Sequence, residues 1–334
     1  MKRILLSRTD NLGDVLLTLP LAGYLKAHWP EVELGFIGKA YTQGLVQACT
    51  HIGTFFDRES ILHQPGLLTD FRADALVMVF PDEAVLRAAY QAQIPIRIAT
   101  GHRWETWRYA NRRVNFSRSR SKAHEAQLNF KLLKPLGLPT DVDLSQIPAW
   151  YGLQALAPLP SALARILQDA RFKLVLHPKS KGSAREWGLE NYYQLALGLP
   201  AQDFQIFVTG VAEEGEKVRQ EKPELLALPH VMDVSGQLSL PELLRFLSEC
   251  DGLLACSTGP LHIASALGKH TLGLFMPRRP MHPGRWQPVG RKAAYLVKEK
   301  DCYRCKGQNW CACIEEIRVE EVRAIIQTWP KGRE

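Results

Sequence analysis

The stretch RILLSRTDNLGDVLLTLPLAGYLKAHW (residues 3–29) decides the fold class. RILLS is a short run of branched and long apolar side chains, as a buried strand requires. Thr9 to Gly13 is polar and small, and Gly13 suits a tight turn. From Asp14 the pattern becomes helical, with Leu16, Leu19, Leu25 and Trp29 on an apolar stripe. Pro20 falls inside that stripe, where a ring without an N–H kinks or ends a helix. Strand, turn and helix in this order are the opening of a parallel α/β unit.

Further strands are expected at 32–38 (VELGFIG) and 75–80 (ALVMVF). The segment 135–160 holds many prolines, breaks the periodicity and reads as a linker. After it the alternation restarts. Strands are expected at 173–178, 204–210, 231–236, 252–257 and 271–275, and helices at 191–199, 240–250 and 259–268. An amphipathic helix at 319–329 closes the chain. The expectation is an α/β protein of two Rossmann-like parallel-sheet domains, at 1–155 and 156–317, facing across a cleft. Residues 318–334 form a C-terminal helix that packs back on the N-terminal domain. Ligands of such sheets sit at the carboxyl ends of the strands.

Composition narrows the class. At 46% hydrophobic and 23% charged residues, the 334-residue chain can bury an ordinary globular core. No apolar run is long enough to cross a bilayer, and MKRILLSRTDNLGD lacks a signal-peptide core, so a cytoplasmic location is expected. The net charge of +8 divides evenly, +4 for residues 1–150 and +4 for the rest, so no arm suited to nucleic acid stands out. Basic residues concentrate locally: between Arg97 and Lys122 there are eight, with the single acid Glu105. Arg112 and Arg113 lie in this run. Such a stretch suits phosphates; its plainer reading is a solvated basic face. A dinucleotide GxGxxG and a GxxxxGK[ST] phosphate loop are both missing from the sequence, which argues against a dehydrogenase and a P-loop NTPase. Asp141-Val142-Asp143 lies in the proline-rich segment, a poor setting for converging metal ligands.

Four segments carry chemistry. In TDNLGDVLLTLP (9–20), Asp14 at a helix start is either an N-cap or an ionised carboxylate able to take a proton. In CSTGPLHIASALG (256–268), the amides of Thr258 and Gly259 open a helix and suit a diphosphate, with Ser257 and Pro260 beside them. His262, one turn along, is a ligand contact or a packed core residue. HPKSKGSAREW (177–187) offers Lys179, Ser180 and Arg185 to phosphates. In TGVAEEGEKVRQE (209–221), Glu214 could accept from ribose hydroxyls or simply begin an exposed acidic helix.

Together these segments, with ANRRV (110–114) and SKAHEAQLNFKLLKPLGL (121–138), resemble the heptosyltransferases of bacterial glycosyltransferase family 9, over nearly the whole chain. The resemblance implies a GT-B fold and inverting, metal-independent transfer, with Asp14 as the base. Lys179, Ser180, Arg185 and Glu214 would contact the donor, together with Ser257, Thr258, Gly259, Pro260 and His262. Gly13, Arg112 and Arg113 would lie on the acceptor side. It implies an ADP-linked sugar, typically ADP-heptose, as donor. The acceptor would be an anionic lipid-linked saccharide such as the lipopolysaccharide inner core, reached by peripheral contact with the inner face of the inner membrane. Ser257 departs from the family, whose best-known members carry Asp there. A nucleotide-sugar epimerase and a non-catalytic nucleotide-sugar binder of the same fold are the alternatives.

No cofactor is required for inverting transfer, because one base and a stabilised leaving diphosphate suffice. Cys302, Cys305, Cys311 and Cys313 form C-x₂-C-x₅-C-x-C, a candidate structural zinc site whose alternatives are reduced thiols or a disulfide.

Overall fold

The computed structural model describes residues 1–101, 104–155, 157–182, 184–298 and 312–332, and divides the chain into two units, Met1–Gln154 and Ala155–Glu334.

The first unit is a six-stranded, wholly parallel sheet. Its strands are β1 (Arg3–Ser7), β2 (Glu33–Gly38), β3 (Thr54–Asp57), β4 (Ala75–Met78), β5 (Ile96–Thr100) and β6 (Arg112–Val114), in the order β3-β2-β1-β4-β5-β6. The chain winds outward from β1 in one direction and returns to lay β4 on its other side. The connections that follow β1 and β4 therefore leave the sheet in opposite directions, and the gap between their carboxyl ends is the switch point where doubly wound sheets hold ligands. β1 and β4 are central, and Ile4, Leu5, Leu6, Ala75, Leu76 and Val77 are fully buried, which is why their sequences read as continuous apolar runs.

After β1 the helix Leu12–Leu16 lasts little more than a turn, and a second helix, Pro20–His28, begins on the proline. Pro20 has no N–H to donate and a fixed φ, so it starts the second helix instead of continuing the first. The helical pattern read from residue 14 onward is thus two helices.

The proline-rich stretch before the unit boundary is not a free linker. Its 3-10 turn Ile147–Trp150 packs on the helix Pro20–His28, where Gly23 is essential: an added Cβ would lie 2.3 Å from the Trp150 carbonyl oxygen. Tyr24 donates to the Pro139 carbonyl at 2.8 Å, and Thr50 and Gln154 make backbone bonds to Gly152 and Ala48. The prolines break periodicity because this segment follows the contour of the domain without joining a helix or strand.

The second unit repeats the plan. β7 (Phe172–His177), β8 (Phe204–Val208), β9 (Val231–Asp233), β10 (Gly252–Cys256), β11 (His270–Phe275) and β12 (Ala293–Val297) are all parallel, in the order β12-β11-β10-β7-β8-β9. Its switch point lies between the ends of β7 and β10. The last helix, Val319–Ile326, was expected on the N-terminal domain. Its buried residues Val322 and Ile326, with Trp329 beyond it, instead join the core of the second unit with Phe172, Tyr192 and Leu195. Trp187, fully buried, donates its indole N–H to the Ile317 carbonyl at 2.8 Å and ties this segment down. An apolar stripe identifies a helix face that must be covered, but not which surface covers it. Among the described residues no helix is long and apolar enough to cross a membrane.

Candidate functional site

In the first unit, the switch point is built around a buried cation. Arg8 follows β1 and is 2% exposed. Its three guanidinium nitrogens each meet a different carboxylate: Nε donates to Asp10 at 2.6 Å, Nη1 to Glu125 at 3.1 Å, and Nη2 to Asp14 Oδ1. The Phe80 ring, just beyond β4, lies 5.6 Å from the guanidinium carbon. Glu125 is fully buried and also accepts from Arg118. Arg118 in turn donates to Asn129 Oδ1 at 2.9 Å and to the Val79 carbonyl at the end of β4 at 2.8 Å. Asn129 donates to the Leu17 carbonyl at 2.9 Å, which closes the ring back on the Asp14 segment. Glu125 and Asn129 share the helix Glu125–Phe130, whose start is capped by His124 Nδ1, accepting from Ala126 N, and by Gln127 Oε1, accepting from His124 N.

Asp14 is 8% exposed. Burial pushes its carboxyl up to about 6, against the pull of Arg8, with Asp10 and Glu125 adding to the rise. Only Oδ1 is engaged; among the described residues Oδ2 accepts from no donor. Such a group is ionised at neutral pH, yet basic enough to take a proton. The N-cap of its helix is Asn11, so Asp14 sits inside the first turn, and Gly13 is helical rather than the tight turn expected of it.

The other acceptor-side residues stand apart. Arg112 and Arg113 are exposed on β6, the edge strand, three strand positions from β1, or roughly 14 Å at the usual strand spacing. Arg113 stacks on the exposed Trp107 at 4.5 Å. Of the basic run between Arg97 and Lys122, Arg118 is the member drawn into the Asp14 network. Sequence reasoning missed both Arg8 and Arg118 as site residues.

In the second unit, the expected donor residues cluster on the loops after β7, β8 and β10. The loop after β7 is turned by Lys181 at φ 47° and Gly182 at φ 80°. Glu186 organises it: Ser180 donates to Glu186 through its amide at 3.0 Å and its hydroxyl at 3.2 Å, and Lys179 Nζ lies 3.3 Å from Glu186 and 2.8 Å from Glu221. Burial opposes the Lys179 charge, but Glu221 and Glu186 outweigh it and raise its pKa. Arg185 Nε is buried and meets no acceptor among the described residues. Burial pushes His177, the last residue of β7, down to about 4; its Nδ1 lies 3.0 Å from Thr209 Oγ1.

Thr258 is the N-cap of the helix Gly259–Ala266, with Pro260 in the first turn. The residue is 5% exposed, and its Oγ1 is buried with no partner among the described residues. An unpaired buried hydroxyl at a helix start, beside amides that the helix leaves unbonded, is the polar arrangement an anion completes. Ser257 and Gly259 flank it, half-buried, and His262 is buried within the helix. Glu214 is no exposed helix start: it is 7% exposed, and its Oε2 accepts from Val211 N at 2.9 Å, capping its own helix.

Of the four candidate zinc ligands, Cys302, Cys305 and Cys311 lie outside the described residues. Cys313 is buried in the core of the second unit. Among the described residues no three His, Cys, Asp or Glu side chains are grouped to hold a metal ion.

Comparison with known proteins places this double arrangement. The sequence profile of "Glycosyltransferase family 9 (heptosyltransferase)" matches residues 74–312, more than half of the chain. The chain belongs to glycosyltransferase family 9. Among relatives of this family, it is 27% identical over 305 residues to a putative glycosyltransferase of Haemophilus influenzae, covering 86% of each. It is 22% identical over 291 residues to that organism's lipopolysaccharide core heptosyltransferase OpsX, covering 84% of this chain and 80% of the other. Its fold is similar to that of the E. coli ADP-heptose lps heptosyltransferase II, with TM-score 0.79, 16% identity and 99% of both chains covered. It is also similar to E. coli heptosyltransferase WaaC with ADP, with TM-score 0.71, 16% identity, and 97% of this chain and 99% of that one covered.

Proposed function

We propose that this protein is an inverting glycosyltransferase. It would move a hexose or heptose from a nucleoside diphosphate donor, ADP-linked as in the named relatives, to an anionic lipid-linked saccharide such as the lipopolysaccharide inner core. The observation that carries this reading is Asp14: a buried carboxylate at a sheet's switch point, with one oxygen held by Arg8 and the other open. Asp14 Oδ2 takes the proton of an acceptor hydroxyl as its oxygen attacks the anomeric carbon. The bond from that carbon to the diphosphate breaks on the opposite face, which inverts the configuration. Charge grows on the leaving diphosphate, where the amides after Thr258, its hydroxyl, and Arg185 supply donors. Lys179 joins them by exchanging Glu186 and Glu221 for phosphate. This sequence of steps uses no metal. The acceptor lipid would bring the protein to the inner face of the inner membrane.

A thermal-shift screen of ADP-, GDP- and UDP-linked sugars tests the donor side. Binding to the folded state alone stabilises by about 2.7 kcal/mol at a hundred times Kd, so an ADP-linked sugar should raise Tm by several degrees more than the GDP and UDP forms. No shift with any of the three would sink the reading. On the acceptor side, Arg112→Ala with Arg113→Ala should raise the acceptor KM roughly tenfold, the worth of about one charge-assisted hydrogen bond, and leave the donor KM unchanged. Equal loss on both sides would remove these two residues from the acceptor site.

A further inference from the structure

The sequence contains no Asp or Glu between Asp251 and Glu299, while Lys or Arg occurs there seven times. This acid-free stretch begins with β10 and the Thr258 turn and continues through β11 and the loop that follows it. That loop, 277–286, carries Arg278, Arg279, His282 and Arg285. Its place is set by the sheet. β11 lies beside β10 with Leu274 paired to Cys256, so the loop leaves the sheet at the level of Ser257, about 5 Å to one side. Beyond the loop, the chain packs at Gly290 on the last turn of the helix that Thr258 caps, where an added Cβ would lie 2.3 Å from the Ser265 carbonyl oxygen. Within the loop, Trp286 donates its indole N–H to the Pro280 carbonyl at 2.9 Å, and Arg285 lies 5.0 Å over the Trp286 ring.

Three arginines in eight residues, 278–285, repel one another unless an anion lies among them. Burial lowers the pKa of His282, and Arg279 and Arg285 lower it further. Among the described residues, Arg278 and Arg279 form no ion pair, although most other cations near the carboxyl edge of this sheet, such as Lys179 and Lys181, are matched by glutamates. The Thr258 turn already offers its hydroxyl and amides to a diphosphate, and Arg185 lies on the loop after the neighbouring strand β7.

We propose that the 277–286 loop, through Arg278 and Arg279, binds a second anionic group, a phosphate or carboxylate, next to the diphosphate held at the Ser257–Gly259 turn. This rests on the reading of that turn as the donor site. The second anion is carried either by the transferred sugar or by the acceptor near its reacting hydroxyl, since both come to the same place in the transfer step.

The test compares wild type with the double variant Arg278→Gln, Arg279→Gln; both side chains lie on a surface loop, where such changes rarely disturb folding. One arm measures the binding of nucleotide-matched donors, ADP-glucose against ADP-glucuronate. The other measures KM for a lipopolysaccharide core oligosaccharide before and after chemical dephosphorylation. In wild type, one arm should favour the anionic form by about tenfold or more, as a charge-assisted contact gives, and the double variant should bring that ratio close to one. The arm that responds identifies the carrier. Wild type that favours the anionic form in neither arm overturns the proposal, as does a ratio that the double variant leaves intact. A double variant that weakens plain ADP as much as the anionic ligands also overturns it, because the arginines then serve the diphosphate itself. ADP binding to wild type separates the two levels: with ADP bound and no discrimination, the second-anion site fails alone, whereas no ADP binding removes the donor reading beneath it.

Discussion

Asp14→Asn should lower turnover by roughly 10²–10⁴-fold, the contribution of a positioned general base, with Tm unchanged or a few degrees higher. The two halves of this expectation have one cause. The Asp14 carboxyl is raised to about 6 chiefly by burial, so the folded protein holds that proton more tightly than the unfolded chain, whose carboxylate titrates near 3.9. The sign follows: the stability associated with this group is fully present below the unfolded value and declines as pH rises through about 6. At neutral pH the ionised carboxylate costs on the order of 2–3 kcal/mol, which an amide does not incur. Asparagine still presents an oxygen to Arg8, and Arg8 keeps Asp10 and Glu125. The same titration governs catalysis in the opposite sense, because the base must be ionised: wild-type activity should fall away as pH drops through about 6, and the residual activity of the variant should lack that limb. Paired measurements of kcat against pH and of Tm decide the matter. An active variant with the acid limb intact removes Asp14 from the base role; an inactive one with a collapsed Tm reduces it to a structural residue.

The central strands were legible because burial on both faces leaves one kind of sequence. β1, β2 and β4, and β7 to β11, were all expected near their observed positions. β3, β5, β6 and β12 were not, and each has a reason. β3, β6 and β12 are edge strands, so half of each escapes the core and needs no apolar run; β6 is only Arg112–Val114 and carries two exposed arginines. β5 has Arg97 as its second residue, whose guanidinium is satisfied by the Tyr109 and Ile94 carbonyls. The candidate turns were legible as turns because small and polar residues after an apolar strand are a local signal. The environment of those turns was not local. Arg8 looks like a solvated charge after a strand, and its partner Glu125 lies 117 residues away. The acid-free stretch that frames Thr258 was open to reading from the composition, but only when charge is counted by segment rather than by half.

Arg8→Met should destabilise the fold by about 3–5 kcal/mol, the usual loss when one member of a buried ion pair is removed, and should move the acid limb of activity to higher pH. Arg8 is the hub on which three carboxylates converge, and methionine replaces its length without its charge. Glu125 keeps Arg118, but Asp14 loses the cation that opposes its desolvation. Its proton is then held more tightly, so ionisation and activity begin only above the wild-type value near 6. Arg8→Lys separates charge from geometry. A lysine restores the positive charge but cannot direct three donors in one plane, so the acid limb should return towards the wild-type position while kcat stays low, because Asp14 Oδ1 is no longer held in register. If the methionine variant does not fold, the lysine variant still carries the test. An unshifted limb and wild-type kcat in Arg8→Lys would show that the charge alone matters and that the fork of hydrogen bonds does not position the base. A limb that moves in both variants, with kcat at its plateau unchanged, would confine Arg8 to setting the Asp14 pKa. The expected outcome, a limb restored by charge and a plateau that is not, assigns Arg8 both tasks: it keeps Asp14 ionised at neutral pH and aims its open oxygen.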